Sequence, residues 1–92
     1  MSYKIVKTSL FKKGMKKFIH DRKLSDEIEN LIQLLADNRA LDLKYKDHSL
    51  KGNLKGLRDC HIRPDVALIY QKDQNALILT AIKIGSHSEI FK

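Results

Sequence analysis

Two strands and the turn that joins them are encoded by residues 58–70, Arg58-Asp59-Cys60-His61-Ile62-Arg63-Pro64-Asp65-Val66-Ala67-Leu68-Ile69-Tyr70. Pro64 fixes φ at about −65°, which suits a tight turn, so the segment predicts a β-hairpin. Side chains alternate between the faces of a strand, so Asp59 and His61 share one face and their immediate neighbours point the other way. The hairpin can hold His61 close to Asp65. A turn-capping Asp65 beside a half-exposed His61 would fit the same pattern.

The segments on either side of this hairpin predict a mixture of helices and strands. Apolar residues spaced by three and four indicate helices at residues 10–22 and 25–37, with Ser9 and Ser25 as N-caps. Short alternating or apolar runs indicate strands at residues 3–8, 57–62, 66–71 and 76–84, with a loop at 42–56. The predicted order is β-α-α-β-β-β. It indicates a single α+β domain over residues 1–92, an antiparallel sheet with both N-terminal helices packed on one face.

Positive charge is the unusual bulk property of this chain. Its 92 residues include 18 Lys and Arg against 11 Asp and Glu, a net charge of +7 and a pI near 9.6. The basic residues concentrate in residues 1–23 and 43–63, on either side of an acidic segment at 24–42. Such a balance favours a polyanionic partner, nucleic acid before an acidic protein.

Cysteine usage and hydropathy narrow the class of protein further. Cys60 is the only cysteine, which excludes an intramolecular disulfide and a metal cluster built on thiolates. The first residues lack the apolar core of a signal peptide, and no apolar run approaches the roughly 20 residues that span a bilayer. We therefore expect a soluble cytoplasmic protein that does not engage a membrane.

Three histidines fall in segments predicted to be non-helical. His61 lies on the second predicted strand and His87 follows the last one, whose antiparallel course returns it to the end of the sheet where Asp65 sits. The basic loop can deliver His48 to the same place. Imidazole titrates near neutral pH, so a pair of imidazoles can act as base and acid without a metal ion.

RNA cleavage suits such a cluster. The 2′-hydroxyl of RNA attacks the adjacent phosphorus when one group removes its proton and another protonates the departing 5′-oxygen. Cations then stabilise the charge that develops on phosphorus. The cations near the histidines in sequence are Lys46, Lys51, Arg58 and Lys83.

Three linked segments carry a resemblance to a known family. They are YKDHSLKG at residues 45–52, RDCHIRPD at 58–65 followed by LIY at 68–70, and GSHSEIF at 85–91. Together they resemble the YafQ branch of the RelE/ParE toxin superfamily. The resemblance implies a RelE-like fold and a ribosome-dependent mRNA endonuclease, the toxin of a type II toxin–antitoxin pair, that needs neither metal nor cofactor.

The resemblance also implies roles for individual residues. Matched by position, the catalytic residues are His48, His61, Asp65 and His87. His87 would be the proton donor and His48 the base. Phe91 would hold or stack the substrate, and Asp59 would orient His61.

The implied partners are an acidic antitoxin, mRNA on the ribosome, and operator DNA through the antitoxin complex alone. Contacts with rRNA would come from the basic first helix and the loop at residues 44–58.

Two positions depart from the pattern of the family. Ser49 stands where relatives often have proline after the loop histidine, which loosens the aim of His48. Lys83 stands where an arginine is common, and lysine cannot make a planar bidentate contact with phosphate. Neither change removes a proton-transfer group, so we expect activity with a weaker hold on phosphate.

Three other functions remain compatible with the sequence. A zinc site could use His48, His61, Asp65 and His87, but their spacing is not compact and the surrounding lysines would repel a cation. A gyrase-poisoning relative on the same scaffold would need no histidine cluster. A non-catalytic RNA-binding module would be basic too, although the chain has few aromatic residues and no stacking motif of the RRM type.

Overall fold

A five-stranded sheet organises the protein, whose computed structural model describes residues 2–90. The strands are β1 Lys4–Lys7, β2 His48–Ser49, β3 Arg58–Arg63, β4 Val66–Asp73 and β5 Ile78–Gly85. The helices are α1 Ser9–Met15, α2 Arg22–Ala36 and α3 His87–Ile90, and short 3₁₀ turns lie at Lys16–Phe18, Leu43–Tyr45 and Gly52–Leu54. The strand order across the sheet is β1-β5-β4-β3-β2.

The predicted α+β class is confirmed, with β1 at an edge and β5 in the interior of the sheet. The expectation of a wholly antiparallel sheet was wrong, because β1 pairs with β5 in parallel. Only a hairpin forces two strands to run antiparallel, and no hairpin joins these two. The segment expected to be a loop at residues 42–56 also contains β2, which pairs antiparallel with β3.

Both N-terminal helices begin earlier than the sequence pattern indicated, and α1 ends at Met15 instead of continuing to residue 22. The N-cap of α1 is Thr8, whose Oγ1 accepts from the Phe11 amide at 3.0 Å and donates to the Ile82 carbonyl at 2.6 Å. The N-cap of α2 is Asp21, which accepts from the Leu24 amide at 3.1 Å. Ser25, the expected cap, instead donates to a backbone carbonyl of the preceding 3₁₀ turn. Capping is thus performed by residues that also tie the helices to their surroundings.

The main core lies between the helices and one face of the sheet. Its buried members come from α1, α2, β3, β4 and β5: Phe11, Leu24, Ile28, Leu31, Ile32, Leu35, Ala36, Cys60, Ile62, Leu68, Tyr70, Leu79, Ala81 and Ile84. The opposite face carries a smaller cluster in which α3 packs on β4 through Ala67, Ile69 and Ile90. The two N-terminal helices, α1 and α2, therefore occupy one face as predicted, and the second face carries α3 and the polar side chains described below. Across residues 2–90, no helix has the length and apolar character that crossing a membrane requires.

Gly14 sets the distance between α1 and the sheet. A Cβ built on this residue would lie 2.5 Å from the Ile84 carbonyl oxygen and 2.8 Å from the Ile84 Cγ2. The nearest atom belongs to the backbone of β5, so it cannot be relieved by rotating a side chain. A glycine is therefore required here for close approach, although glycine is a poor helix former.

We predict that Gly14→Ala destabilises the protein. Alanine would ordinarily add about 1 kcal/mol to a helix, but overpacking against β5 costs about 1–3 kcal/mol and should dominate. The free energy of unfolding, measured by urea denaturation, should fall by about 1–2 kcal/mol. Lys13→Ala, an exposed neighbour in the same helix, is the control and should change stability by less than about 0.5 kcal/mol. A Gly14→Ala variant more stable than the parent would contradict the close approach.

Candidate active site

A buried carboxylate and two histidines form the centre of the site. Asp59 and His61 lie on the same face of β3, and His87 begins α3. His61 Nε2 is 3.4 Å from Asp59 Oδ2, and the rings of His61 and His87 lie with their centroids 4.9 Å apart at a tilt of 35°. The alternation of β3 and the return of β5 thus bring together the two histidines that sequence analysis placed at one edge.

His48 reaches this centre through β2. Its backbone pairs with Asp59, and its Nε2 lies 3.6 Å from Asp59 Oδ2. Its other ring nitrogen, Nδ1, is 2.6 Å from the Lys46 carbonyl oxygen. Because a carbonyl can only accept, Nδ1 carries the proton of that hydrogen bond, and Nε2 of the neutral ring is left with the lone pair. The local geometry therefore makes Nε2 the nitrogen that can accept a proton.

Asp59 is buried at the centre of these rings, with 1% of its surface exposed. Its Oδ2 faces His48 and His61, whereas its buried Oδ1 has no hydrogen-bond partner among the described residues. A buried carboxylate is costly unless donors surround it. A proton arriving on either Nε2 would point at Oδ2, so the carboxylate can stabilise the protonated form of whichever ring receives it.

His87 is held at the start of α3 by a reciprocal cap. Glu89 Oε1 accepts from the Ser86 amide at 2.9 Å, and Ser86 Oγ accepts from the Glu89 amide at 3.4 Å. This is the arrangement of a capping box. The second carboxylate oxygen of Glu89 pairs with Lys17 at the end of the helical segment that begins with α1. The short helix is thereby fixed to the scaffold at a residue two positions from His87.

A cleft of about 410 Å³ opens beside the histidines. Its lining consists of Lys44, Lys46, His61, Ile62, Arg63, Pro64 and His87. Arg63 is tied to α2 through Glu27 at 2.9 Å and Asp21 at 3.3 Å, and the hydrogen bond to Glu27 raises the pKa of its guanidinium. Lys44 and Lys46 add positive charge to the same wall. The cleft is a basic surface with imidazoles in it, which suits an anionic substrate.

Several residues expected at the site lie elsewhere. Asp65 is exposed in the two-residue turn between β3 and β4, and the carboxylate that contacts the histidines is Asp59. Lys51 is exposed beside the Gly52–Leu54 turn. Lys83 lines a separate cavity of about 210 Å³ with Lys13 and Lys17. Phe91 lies outside the described residues.

Arg58 is also directed away from the histidines. Its guanidinium binds Asp47 at 3.0 Å and the Tyr70 hydroxyl at 3.3 Å. The hydrogen bond to Asp47 is the main reason that the pKa of Arg58 is raised. The sequence argument had grouped Arg58 with the cleft by proximity along the chain, but an adjacent strand residue points to the opposite face. The cleft cations that it missed are Lys44 and Arg63. For Arg63 the strand alternation gave no signal, because a bulge between His61 and Arg63 shifts the register there.

The same centre offers ligands for a metal ion. One ligand atom each from Asp59, His61 and His87 lie within 4.8 Å of one another. Two imidazoles and a carboxylate are a common ligand set for zinc and related transition metals. The set differs from the one considered in the sequence, because Asp59 takes the place of Asp65 and His48 is not among the three ligands.

Comparisons with known proteins agree with this geometry. A family model described as bacterial toxin of type II toxin–antitoxin system, YafQ, matches residues 3–92. The mRNA interferase toxin YafQ of Escherichia coli (strain B / BL21-DE3) is 34% identical over 82 residues, which cover 88% of this chain and 87% of the relative.

Solved structures show the same likeness in three dimensions. The metal-bound toxin from Helicobacter pylori is 36% identical, with a TM-score of 0.88 over 97% of this chain and 99% of that one. YafQ in the E. coli DinJ–YafQ toxin–antitoxin complex is 31% identical, with a TM-score of 0.86 over 100% of both chains. The resemblance that the sequence motifs indicated is confirmed along the full described fold.

Proposed function

Because the chain belongs to the YafQ family of bacterial toxins of type II toxin–antitoxin systems, we propose that it is an endoribonuclease that cleaves mRNA on the ribosome. The observation that carries this proposal is the convergence of His48, His61 and His87 around the buried Asp59 carboxylate. An mRNA interferase is also what its E. coli relative is called. The gyrase-poisoning and binding-module alternatives need no such cluster.

His48 is the general base of the proposed reaction. Its Nδ1 donates to the Lys46 carbonyl, so Nε2 is oriented to take the proton of the attacking 2′-hydroxyl. The imidazolium that forms lies beside the Asp59 carboxylate, with Nε2 3.6 Å from Oδ2, and the opposite charges attract each other. Asp59 thus takes the role of charged partner, wider than the orienting role that the sequence suggested, and Asp65 is not required for it.

His87 is the general acid that protonates the departing 5′-oxygen. It lines the cleft together with His61, whose ring is adjacent. His61 lies beside Asp59, with Nε2 3.4 Å from Oδ2. It can donate a hydrogen bond to the phosphate or supply His87 with a new proton after the leaving oxygen has taken one. Lys44 and Lys46 stabilise the charge that accumulates on the phosphorane. The whole scheme uses protons and fixed charges supplied by the chain.

The basic helical segment at residues 9–23, which comprises α1, the 3₁₀ turn after it and the start of α2, gives this nuclease a way to reach the ribosome. Its exposed cations are Lys12, Lys13, Lys16, Lys17, Arg22 and Lys23. They lie apart from the cleft and would meet rRNA phosphates while the loop at residues 44–58 enters the mRNA channel, as such contacts depend on charge more than sequence. A protein that acts on translating ribosomes works in the cytoplasm, which is where we place it.

The proposed protein partner, which binds the chain when it is not cleaving mRNA, is an acidic antitoxin. The E. coli relative forms a complex with DinJ that is described as a toxin–antitoxin complex. A net charge of +7 makes an acidic protein the complementary partner. Operator DNA would be reached only through the antitoxin complex.

A divalent transition metal is proposed to inhibit this activity. The ligand atoms of Asp59, His61 and His87 lie within 4.8 Å of one another, so small side-chain rotations would bring each to roughly 2.0–2.1 Å from a shared ion. A bound ion would occupy the lone pairs that proton transfer uses. The toxin from H. pylori that resembles this chain is described as metal-bound.

His87→Ala tests the catalytic proposal. Loss of the general acid should lower the cleavage rate about 10²–10⁴-fold, because the leaving oxygen must then depart without a proton. Cleavage is measured by toeprinting of ribosome-bound mRNA, and binding to ribosomes by co-sedimentation. Ribosome binding should remain within about twofold, since the basic helical segment is untouched. A His87→Ala variant as active as the parent would contradict the acid–base scheme.

Zinc chloride tests the metal proposal. Micromolar zinc should bind once per chain by calorimetry and should stop cleavage, and excess EDTA should restore it. The variant His61→Ala should bind zinc at least tenfold more weakly, because one ligand is gone. His20→Ala removes an exposed histidine outside the cluster and should bind zinc like the parent. Unaltered or faster cleavage in the zinc-loaded protein would rule the inhibition out.

A further inference from the structure

Behind the catalytic face, three side chains form a network that the proposed chemistry does not use. Asp47 accepts from the Arg58 guanidinium through both carboxylate oxygens, at 3.3 Å and 3.0 Å. The Tyr70 hydroxyl donates to Asp47 and lies 3.3 Å from Arg58 Nε. The Tyr70 ring is buried in the main core under α2. The network thus joins a rigid strand, β4, to a residue of the exposed loop.

The network is attached to the residue directly before His48. Consecutive residues of an extended chain point to opposite sides. When Asp47 is fixed on one side, the direction of His48 on the other side is therefore fixed as well. The pairing of β2 with β3 extends over only two residues, which is too short to hold a loop by itself. Something besides the sheet has to keep the base in place.

The backbone conformation of Lys46, the residue before Asp47, also helps to orient His48. Lys46 has a left-handed conformation with φ of 50°, which side chains other than glycine adopt at a cost. In that conformation its carbonyl accepts the His48 Nδ1 hydrogen bond. The contact that selects the tautomer of the base therefore depends on a strained residue that adjoins Asp47.

We propose that Asp47, Arg58 and Tyr70 are positioning residues that hold His48 Nε2 beside Asp59. This inference rests on the proposed function, in which His48 is the base. Arg58 is then part of the scaffold, and the mRNA phosphates are met by the cations of the cleft. The three residues act through His48 and touch neither substrate nor the reacting atoms.

The surroundings of the network support a scaffold role. The pKa of Tyr70 is raised, first by burial and then by its hydrogen bond to Asp47, so the hydroxyl keeps its proton and remains a donor. The adjacent cavity on this side is lined by Leu35, Arg39, Ala40, Leu41, Asp47, Arg58, Tyr70, Lys72 and Gln74. None of the histidines lines that cavity within residues 2–90. The network is separated from the cleft by the sheet itself.

Tyr70→Phe is the sharpest test, because it removes the hydroxyl and keeps the buried ring. A catalytic group displaced by about 1 Å can cost on the order of 10²-fold in rate. We expect kcat for mRNA cleavage on ribosomes to fall at least about tenfold, with KM for ribosomes within about twofold. Asp47→Asn keeps the shape of the side chain and should give the same split. Tyr3→Phe, directly before the edge strand β1, is the matched control and should leave both constants unchanged.

Repeating each change in a His48→Ala background separates positioning from general stability. If the network acts through His48, Tyr70→Phe and Asp47→Asn should lower the residual kcat by less than about twofold there. Equal losses in the two backgrounds, a raised KM, or no loss in the native background would each overturn the proposal. Circular dichroism establishes that every variant is folded at the assay temperature. Should His48→Ala itself leave kcat unchanged, the assignment of the base fails, which is a different result from an inert network around an essential His48.

Discussion

The buried carboxylate of Asp59 is the constraint on which the site depends. It lies in the interior of a strand with 1% of its surface exposed, where a charged carboxylate is costly unless polar or positively charged groups surround it. His48 and His61 are the side chains that face its Oδ2. The two-residue strand β2 exists at the one register that brings His48 opposite Asp59. The conformation of the loop and the register of β2 therefore both serve to place polar side chains beside the Asp59 carboxylate. The same side chains carry the chemistry of the cleft.

The two faces of the sheet have different functions. One face packs against α1 and α2 and supplies the stability, through a core that reaches from Phe11 to Ile84. The other face carries α3 and the imidazoles, so substitutions of the catalytic side chains need not disturb the core. The acidic helix α2 neutralises neighbouring cations, as Glu29 does for Lys7 at 2.8 Å and Glu27 for Arg63 at 2.9 Å. The excess positive charge is left on α1, the 3₁₀ turn that follows it, and the loop, where a polyanion can meet it.

Much of this arrangement was predictable from the sequence, because it follows from strand geometry. The period of two in β3 places Asp59 and His61 on one face, and antiparallel return of β5 brings His87 to them. The parallel pairing of β1 with β5 was not predictable, since no turn joins those strands. Lys83 was grouped with the histidines by nearness along the chain; it pairs with Ile69 across the sheet and lines a separate cavity with Lys13 and Lys17. The choice of Asp59 over Asp65 depends on burial, which no spacing reveals.

The chemical ends of the cleaved mRNA test the central claim most directly, because they record which oxygen attacked phosphorus. A ribosome-bound mRNA cut by this protein in the presence of EDTA should carry a 2′,3′-cyclic phosphate or 3′-phosphate on one fragment and a 5′-hydroxyl on the other. A single 2′-deoxy substitution at the cleaved nucleotide should abolish cutting. Fragments with a 5′-phosphate and a free 3′-hydroxyl, or undiminished cutting next to the deoxynucleotide, would show that water and not the 2′-hydroxyl attacks, and would contradict the histidine mechanism.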